Sequence, residues 1–321
     1  MAPDEAGLDR MRVASVHRSR MTAESVLGQV RLVLQAKTNT ADYAVGDWLL
    51  VEPETHLLIR RLDRKTLLQR RFEGGGGAPQ LIAANIDTLF IVTSCNDDLN
   101  PARLERYLAL ANEAETTPVI VLTKADQVDD TAPYRAQASG LQVGLQVVAL
   151  NAKDPSAATV LAPWCGAGQT VALVGSSGVG KSSLLNTLAQ KSDEEAQATG
   201  AIREGDAKGR HTTTSRSLHA IAGGGWVVDT PGIRSLQISD NTVGLDRLFS
   251  EITDLAPQCR FRNCTHAHEP GCAVRLAVKA GTVDAGRLER WRKLQEENQI
   301  NTPVLVGAKG NKSIKPMGKR R

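Results

Sequence analysis

The sequence predicts a multidomain protein with a small N-terminal β-barrel, a central α/β domain, and a mainly helical C-terminal region that contains a cysteine cluster. Three observations predict this arrangement. Short strand patterns crowd into residues 28–71, strand and helix patterns alternate from residue 88 onward, and three cysteines lie within residues 259–272. The chain has 321 residues, which is too long for one ordinary hydrophobic core.

The first predicted domain, residues 1–77, consists of a basic arm, the barrel and a glycine linker. Its four strand patterns lie at residues 29–34, 45–51, 56–62 and 67–72. Several short strands within so few residues are typical of a small barrel. The four consecutive glycines at residues 74–77 predict a flexible linker, and therefore a domain boundary.

Basic residues are spread unevenly along the chain. The net charge is only +4, but residues 10–20 and 309–321 are both rich in Lys and Arg. Such ends either contact nucleic acid or are solvated tails, and the charge alone does not decide between them. A basic face on the barrel favours nucleic-acid binding over a merely solvated surface. Its candidate residues are Arg60, Arg61, Arg64, Lys65, Arg70 and Arg71.

Composition predicts a cytoplasmic protein. Hydrophobic residues make up 41% of the chain and charged residues 23%, and no apolar run is long enough to span a bilayer. The N-terminus is polar and basic, without the apolar segment of a signal peptide. We expect a monomer with no membrane partner.

Strand and helix patterns alternate through the second predicted domain, residues 78–240. Strand patterns lie at residues 88–93, 119–122, 146–150, 170–174 and 225–229, and a helix pattern spans residues 100–114. This alternation predicts a mostly parallel sheet covered by helices.

A glycine-rich loop lies at the centre of this domain, between a strand pattern and a helix pattern. Residues 175–182 fit the motif G-x-x-x-x-G-K-[ST]. Glycines let backbone N–H groups surround an anion, and the helix N-terminus adds partial positive charge. The motif's lysine reaches the β- and γ-phosphates, and its final hydroxyl can bind Mg²⁺. The predicted nucleotide-binding residues here are Gly175, Ser176, Ser177, Gly178, Val179, Gly180, Lys181, Ser182 and Ser183.

Two short motifs at the ends of strand patterns indicate that the nucleotide is GTP. Thr123, Lys124 and Asp126 resemble the guanine-specifying element N-K-x-D. The Asp126 carboxylate can accept two hydrogen bonds from the N1–H and N2–H₂ edge of guanine, which adenine lacks. The stem of Lys124 can pack along the base. Asn151 and Ala152 stand where small GTPases have S-A-K, and their backbone would contact guanine O6.

A further motif, D-x-x-G, spans residues 229–232. Asp229 can hold Mg²⁺, usually through water, and the Gly232 N–H can meet the γ-phosphate. The next residue is Ile233, where fast GTPases usually have a water-orienting Gln. Because an isoleucine cannot orient water, we expect slow intrinsic hydrolysis or a different catalytic group.

The segment between these two phosphate motifs, residues 198–217, predicts a mobile switch loop. One threonine of this loop should bind Mg²⁺ and sense the γ-phosphate; Thr213 is preferred, with Thr212 or Thr214 as alternatives. His211 is a candidate proton-transfer group, although it could serve only to bind phosphate or a partner. The predicted catalytic residues are Lys181, Thr213, Asp229 and His211, and the predicted Mg²⁺ ligands are Ser182 and Thr213.

The order of the motifs is unusual. In ordinary GTPases the phosphate loop comes first and the base-specifying motifs last, whereas here both base motifs precede the loop. The same site can form if the sheet is circularly permuted, which is tolerated when the original termini lie close together. The sequence therefore predicts a circularly permuted α/β P-loop GTPase domain.

The third predicted domain, residues 241–321, contains a metal-binding pattern. Cys259, Cys264 and Cys272, together with either His266 or His268, supply three thiolates and an imidazole. Such a closed set of four ligands suits one structural Zn²⁺, whose binding would fold a region that lacks a large core. A helix pattern at residues 283–298 should pack on this region, and the tail at 309–321 is expected to be disordered in isolation.

The chain closely resembles the bacterial ribosome small-subunit-dependent GTPase A family, over roughly residues 28–297. Besides the permuted order, the resemblance lies in residues 44–48, 84–87, 209–214, 229–232 and 259–274. It implies an N-terminal OB-fold, a permuted GTPase domain and a zinc domain, with His266 as the histidine ligand. It also implies GTP hydrolysis stimulated by the small (30S) ribosomal subunit, and a role in late maturation of that subunit through contact with 16S rRNA. The departures are Thr123 for Asn, Asn151 for Ser, and the glycine linker.

Three alternatives remain open. The protein could be a GTP-gated RNA-binding switch whose hydrolysis is incidental, and turnover with and without small subunits would separate the two. It could be a P-loop ATPase or kinase, against which Asp126 argues. It could be a zinc-containing nucleic-acid module with a degenerate nucleotide site, against which the intact Lys181, Ser182 and Asp229 argue.

Overall fold

Strands dominate the first part of the chain, and strands alternate with helices after it. The computed structural model describes residues 5, 7–70, 79–190, 216–230, 238–302, 305–306 and 312–313. The strands are β1 (Asp9–Val16), β2 (Met21–Ser25), β3 (Gly28–Arg31), β4 (Trp48–Val51), β5 (Leu58–Arg61), β6 (Leu67–Arg70), β7 (Gln80–Ala84), β8 (Thr88–Ser94), β9 (Thr117–Thr123), β10 (Gln146–Ala149), β11 (Thr170–Val174), β12 (Ser217–Ala220), β13 (Trp226–Asp229), β14 (Leu305–Val306) and β15 (Lys312–Ser313). The helices are α1 (Pro101–Glu113), α2 (Ala132–Ser139), α3 (Ser156–Leu161), α4 (Lys181–Leu188), α5 (Thr242–Leu248), α6 (Ser250–Thr253), α7 (Ala273–Lys279) and α8 (Ala285–Asn301).

The N-terminal region forms a five-stranded antiparallel sheet in the order β3-β2-β1-β4-β5. Residues 10–20 are predicted as a basic end, but β1, which overlaps them, is the central strand of this sheet. Met11 and Val13 point into its core, and Arg12, almost fully buried, lies over the Trp48 ring. Apolar residues alternate with arginines in β1, which is the pattern of a strand, but the same arginines make the segment resemble a basic end.

Strands β6 and β7 pair antiparallel in a separate two-stranded sheet, with Leu67 opposite Ala84. The four glycines at residues 74–77 lie between these strands and outside the described residues. The prediction of a domain boundary at these glycines therefore differs from the structure, because the strands on either side pair with each other. A glycine run suits a linker and a hairpin connection equally well, and sequence does not record strand pairing.

The central region contains a six-stranded sheet in the order β10-β9-β8-β11-β13-β12. All of its strands are parallel except β12, which runs antiparallel to β13. Alternate residues of each buried strand enter two separate hydrophobic clusters, one on each face. Helix α1 packs on the first face and helices α3 and α4 on the second. Both the predicted helix at residues 100–114 and the mostly parallel sheet are confirmed.

The C-terminal helix α8 is tied to α1 by a buried ionic cluster. Glu105 on α1 is fully buried and pairs with both Arg287 and Arg290, each at 2.9 Å. Arg287 also pairs with Glu251 and lies over the Phe249 ring. Removing one partner from such a buried cluster leaves an uncompensated charge. The ion pairs therefore fix the C-terminal region against the central sheet.

The last described elements along the chain are short and lie near its C-terminal end. The two short strands β14 and β15 pair antiparallel, and β15 is the part of the predicted tail at residues 309–321 that the structure describes. Among the described helices, none has both the length and the apolar character needed to cross a membrane.

Candidate functional site

The phosphate loop predicted at residues 175–182 connects β11 to α4. Its first residue, Gly175, has a φ of 143°, and a Cβ there would lie 2.1 Å from the Val92 carbonyl oxygen. No other residue fits this position, since both the space and the backbone conformation exclude a side chain. Gly180 is the N-cap of α4 with a φ of 93° and provides no side-chain cap. The N-cap residue therefore places no side chain over the start of α4, which suits an anion site at a helix N-terminus.

Lys181 is held over the loop by the loop's own backbone. Its Nζ donates a hydrogen bond to the Gly175 carbonyl oxygen at 2.8 Å and another to the Ser176 carbonyl oxygen. Ser182 follows on the exposed side of the first turn of α4. Both predicted side chains therefore lie at the same helix N-terminus as the glycines that would surround a phosphate.

Thr123 braces the phosphate loop from the end of β9. Its hydroxyl is fully buried and lies 2.6 Å from the Val179 carbonyl oxygen and 3.0 Å from the Thr93 carbonyl oxygen. A Cβ on Gly180 would lie 3.6 Å from the Thr123 hydroxyl oxygen. The departure from the usual Asn therefore keeps a hydrogen-bonding group against the loop.

The two predicted base motifs come together beside this loop. Ala152 is buried, its side chain faces Gly180, and its carbonyl oxygen accepts a hydrogen bond from Thr187 of α4 at 2.8 Å. Asn151 Oδ1 accepts the Lys153 N–H at 3.0 Å, which shapes the turn.

The carboxylate of the first base motif faces solvent. Lys124 has a left-handed backbone with φ 56°, and it precedes the short 3₁₀ turn that contains the exposed Asp126. Its neighbour Ala125 donates a backbone hydrogen bond to the Leu150 carbonyl oxygen at 3.3 Å, which joins the two base motifs. The arrangement leaves Asp126 accessible to a ligand beside the phosphate loop.

Asp229 lies at the end of β13, next to the strand that leads into the phosphate loop. In the parallel pairing of β11 and β13, Asp229 is opposite Leu173, and only 7% of its surface is exposed. The following Thr230 donates its hydroxyl to the Leu173 carbonyl oxygen. The predicted Mg²⁺-binding carboxylate and the phosphate loop thus share one edge of the sheet.

Four predicted positions cannot be placed in this site. His211, Thr213, Gly232 and Ile233 lie outside the described residues, as do the alternatives Thr212 and Thr214. Their roles remain predictions.

The structure adds one residue that the motifs did not identify. Arg103, in the first turn of α1, donates a hydrogen bond to the Ser176 hydroxyl of the phosphate loop. The sequence signal was weak, because an arginine in the first turn of a helix usually faces solvent.

A second site lies in the C-terminal region. The ligand atoms of Cys259, Cys264, His266 and Cys272 all lie within 4.8 Å of one another. Cys272 Sγ is 3.3 Å from His266 Nδ1 and 3.8 Å from Cys259 Sγ. Three sulfurs and one imidazole nitrogen at such separations could hold one metal ion in a tetrahedral set.

Neighbouring groups orient this cluster. His266 has a left-handed backbone with φ 58°, is almost fully buried, and packs against Trp291 of α8 at 5.4 Å between ring centroids. Burial lowers the pKa of His266, which favours the neutral imidazole that a metal requires. Hydrogen bonds from the Thr265 side chain and backbone lower the pKa of Glu269 well below its usual range. The Glu269 carboxylate thereby fixes the turn that carries His266, and His268 lies exposed beside it.

Comparison with known proteins agrees with this geometry. Residues 61–239 match the family described as "RsgA GTPase". A relative from Mesorhizobium japonicum named small ribosomal subunit biogenesis GTPase RsgA is 66% identical over 99% of this chain and 91% of its own length. A relative from Vibrio vulnificus named small ribosomal subunit biogenesis GTPase RsgA 2 is 46% identical over 96% of this chain and 86% of its own length.

Two solved structures share the fold. YjeQ from Thermotoga maritima has a TM-score of 0.65 and 28% identity, over 90% of this chain and 98% of its own. YloQ, described as a circularly permuted GTPase, has a TM-score of 0.63 and 22% identity, over 95% of this chain and 100% of its own. These likenesses confirm the predicted circularly permuted fold. The family match over residues 61–239 and the relative of 66% identity establish that the chain is a GTP hydrolase and belongs to the RsgA GTPase family.

Proposed function

We propose that this protein is a late maturation factor of the small (30S) ribosomal subunit, that it binds the subunit in its GTP form, and that contact with the subunit stimulates hydrolysis. The observation that carries the proposal is the meeting of Thr123, Ala152 and the phosphate loop around Gly180. This juxtaposition supports a guanine-specific site in a chain whose relatives are named for small-subunit biogenesis.

Within this site, each residue has a proposed role. Lys181 neutralises charge on the β- and γ-phosphates as the bond to the leaving GDP breaks. The backbone of residues 175–183 donates to the phosphates, and Asp126 accepts from the guanine edge. Lys124, Asn151 and Ala152 complete the base pocket. Gly232 would donate its N–H to the γ-phosphate.

Magnesium has a matching set of ligands. Ser182 and Thr213 would hold Mg²⁺ directly and Asp229 through water; the ion, when bound, neutralises the triphosphate charge. The oxygen chemistry of this set fits the ion. His211 is proposed to accept the proton that the attacking water loses, since an imidazole can take up a proton near neutral pH and Ile233 has no polar group to act on that water.

RNA contact is proposed for the N-terminal sheet, which we infer to be an OB-fold barrel. Two members of its basic face are engaged in ion pairs: Arg60 with Glu5, and Arg64 with the buried Asp47 at 2.6 Å. Because Arg64 stabilises the turn before β4, we assign it to structure. Arg61, Lys65 and Arg70 then remain as described candidates for 16S rRNA phosphates, and Arg71 lies outside the described residues.

The Cys₃His cluster is proposed to bind one structural Zn²⁺. Three thiolates and an imidazole are the soft and borderline ligands that zinc prefers, and they fill all four tetrahedral positions. No ligand position remains open for a substrate, so the ion would supply folding energy and no catalysis. We further propose that the protein acts in the cytoplasm as a monomer.

Binding to small subunits tests the proposal. Purified protein, loaded with GDP or with a non-hydrolysable GTP analogue, is sedimented with purified small subunits. We expect it to co-sediment with the analogue and to be released with GDP, because the γ-phosphate orders the switch segments. Large subunits serve as the control. Equal binding in the two nucleotide states would contradict a GTP-gated cycle.

A further inference from the structure

A side chain from outside the nucleotide motifs holds the phosphate loop. Arg103 Nη1 donates to the Ser176 hydroxyl oxygen, and the same nitrogen donates to Asp98 Oδ1 at 2.9 Å. A guanidinium Nη carries two hydrogens, so it can make both contacts together. Arg103 therefore bridges the segment after β8 and the second residue of the phosphate loop.

The position of Arg103 is fixed on both sides. The Asn100 side chain caps α1 by accepting the Arg103 N–H at 3.1 Å. Asp98 donates its own N–H to Asn96 Oδ1 at 3.0 Å, and that oxygen also accepts the Ser94 hydroxyl at 2.8 Å. The buried ion pairs between α1 and α8 hold the helix in place further along. Arg103 thus projects from a rigid frame.

Ser176 connects Arg103 to Lys181. Its hydroxyl oxygen accepts from Arg103, and its carbonyl oxygen accepts from the Lys181 ammonium. Both are charge-assisted hydrogen bonds, which are shorter and stronger than neutral ones. A displacement of Ser176 would move one of the two carbonyl groups that orient the lysine.

We propose that Arg103 is a positioning residue of this GTPase: through Ser176 it holds the phosphate loop and Lys181 in the geometry that receives the triphosphate. The inference rests on GTP binding and hydrolysis by this site and adds a residue that the motif G-x-x-x-x-G-K-[ST] does not contain. The β- and γ-phosphates would contact the loop already when GTP binds, before hydrolysis begins. Loss of Arg103 should therefore weaken nucleotide binding as well as turnover.

The test compares four variants with the unmutated protein: Arg103→Ala, Ser176→Ala, the double variant, and Arg103→Lys. Affinity for a fluorescent GTP analogue and single-turnover hydrolysis are measured. Each alanine variant should weaken affinity about tenfold, the size expected for one hydrogen bond to a charged group. The double variant should lose no more affinity than the single variant with the larger loss, because both changes remove the same contact. Lysine should restore part of the affinity.

Arg135→Ala, which removes an exposed arginine of α2 in the same region, is the matched control and should behave as the unmutated protein. Thermal unfolding without nucleotide checks that the variants fold; should Arg103→Ala fail to fold, Ser176→Ala, which keeps the arginine, carries the test. Unchanged affinity in Arg103→Ala, or additive losses in the double variant, would overturn the inference. If the unmutated protein does not bind or hydrolyse GTP, the proposed function fails instead.

Discussion

Replacing Lys181 with alanine is expected to abolish GTP hydrolysis while leaving the chain folded. The ammonium lies over the loop on the Gly175 and Ser176 carbonyl groups, where the β- and γ-phosphates would meet it. Removing one pre-positioned donor that stabilises transition-state charge typically lowers kcat by about 10²–10³-fold. Alanine is a good helix former, so the start of α4 should be preserved. Hydrolysis is measured under single-turnover conditions with saturating GTP.

The exposed Lys279 at the end of α7 provides the matched control for this prediction. Lys279→Ala removes the same charge far along the chain from the phosphate loop and should leave hydrolysis unchanged. Full turnover by Lys181→Ala would refute the assignment of residues 175–182 as the phosphate loop.

Loss of one cluster ligand is expected to remove the metal and destabilise the C-terminal region. His266→Ala takes away one of four ligands, and structural zinc in small domains contributes on the order of 10 kcal/mol to folding. His266 also packs on Trp291, so the variant should lower the melting temperature further. Zinc content after dialysis against a weak chelator, and thermal unfolding, are the measurements.

The neighbouring histidine supplies the control, because it is exposed and lies outside the cluster. His268→Ala should retain one zinc per chain and the melting temperature of the unmutated protein. If His268→Ala lost the zinc and His266→Ala kept it, the ligand assignment would be wrong.

The strands of the central sheet, the helix after β8 and the phosphate loop can be predicted from the sequence, because each depends on residues that are close together in the chain. The apolar strands of the central sheet and the helix at residues 100–114 were predicted because periodicity reports which faces are buried. The phosphate loop was predicted because its glycines satisfy a strict steric requirement, seen at Gly175. The order of the motifs along the chain is sufficient to predict the permutation.

Features that depend on long-range pairing were not predicted. Local sequence predicts a basic end at residues 10–20 and not strand β1, because burial of Arg12 depends on Trp48 and Gly46, which are far along the chain. The glycines at residues 74–77 predict a linker because the pairing of β6 with β7 is not a local property of the sequence. The contact between Arg103 and Ser176 is not predictable for the same reason, since it joins residues 73 positions apart.

The rate of GTP hydrolysis with and without purified small ribosomal subunits tests the central claim most directly. We expect slow intrinsic turnover that rises by an order of magnitude or more when small subunits are added, as for GTPases whose catalytic site a partner completes. Large subunits should give no such rise. Equal turnover with and without small subunits would contradict the claim that the subunit completes the site around Lys181 and Asp229.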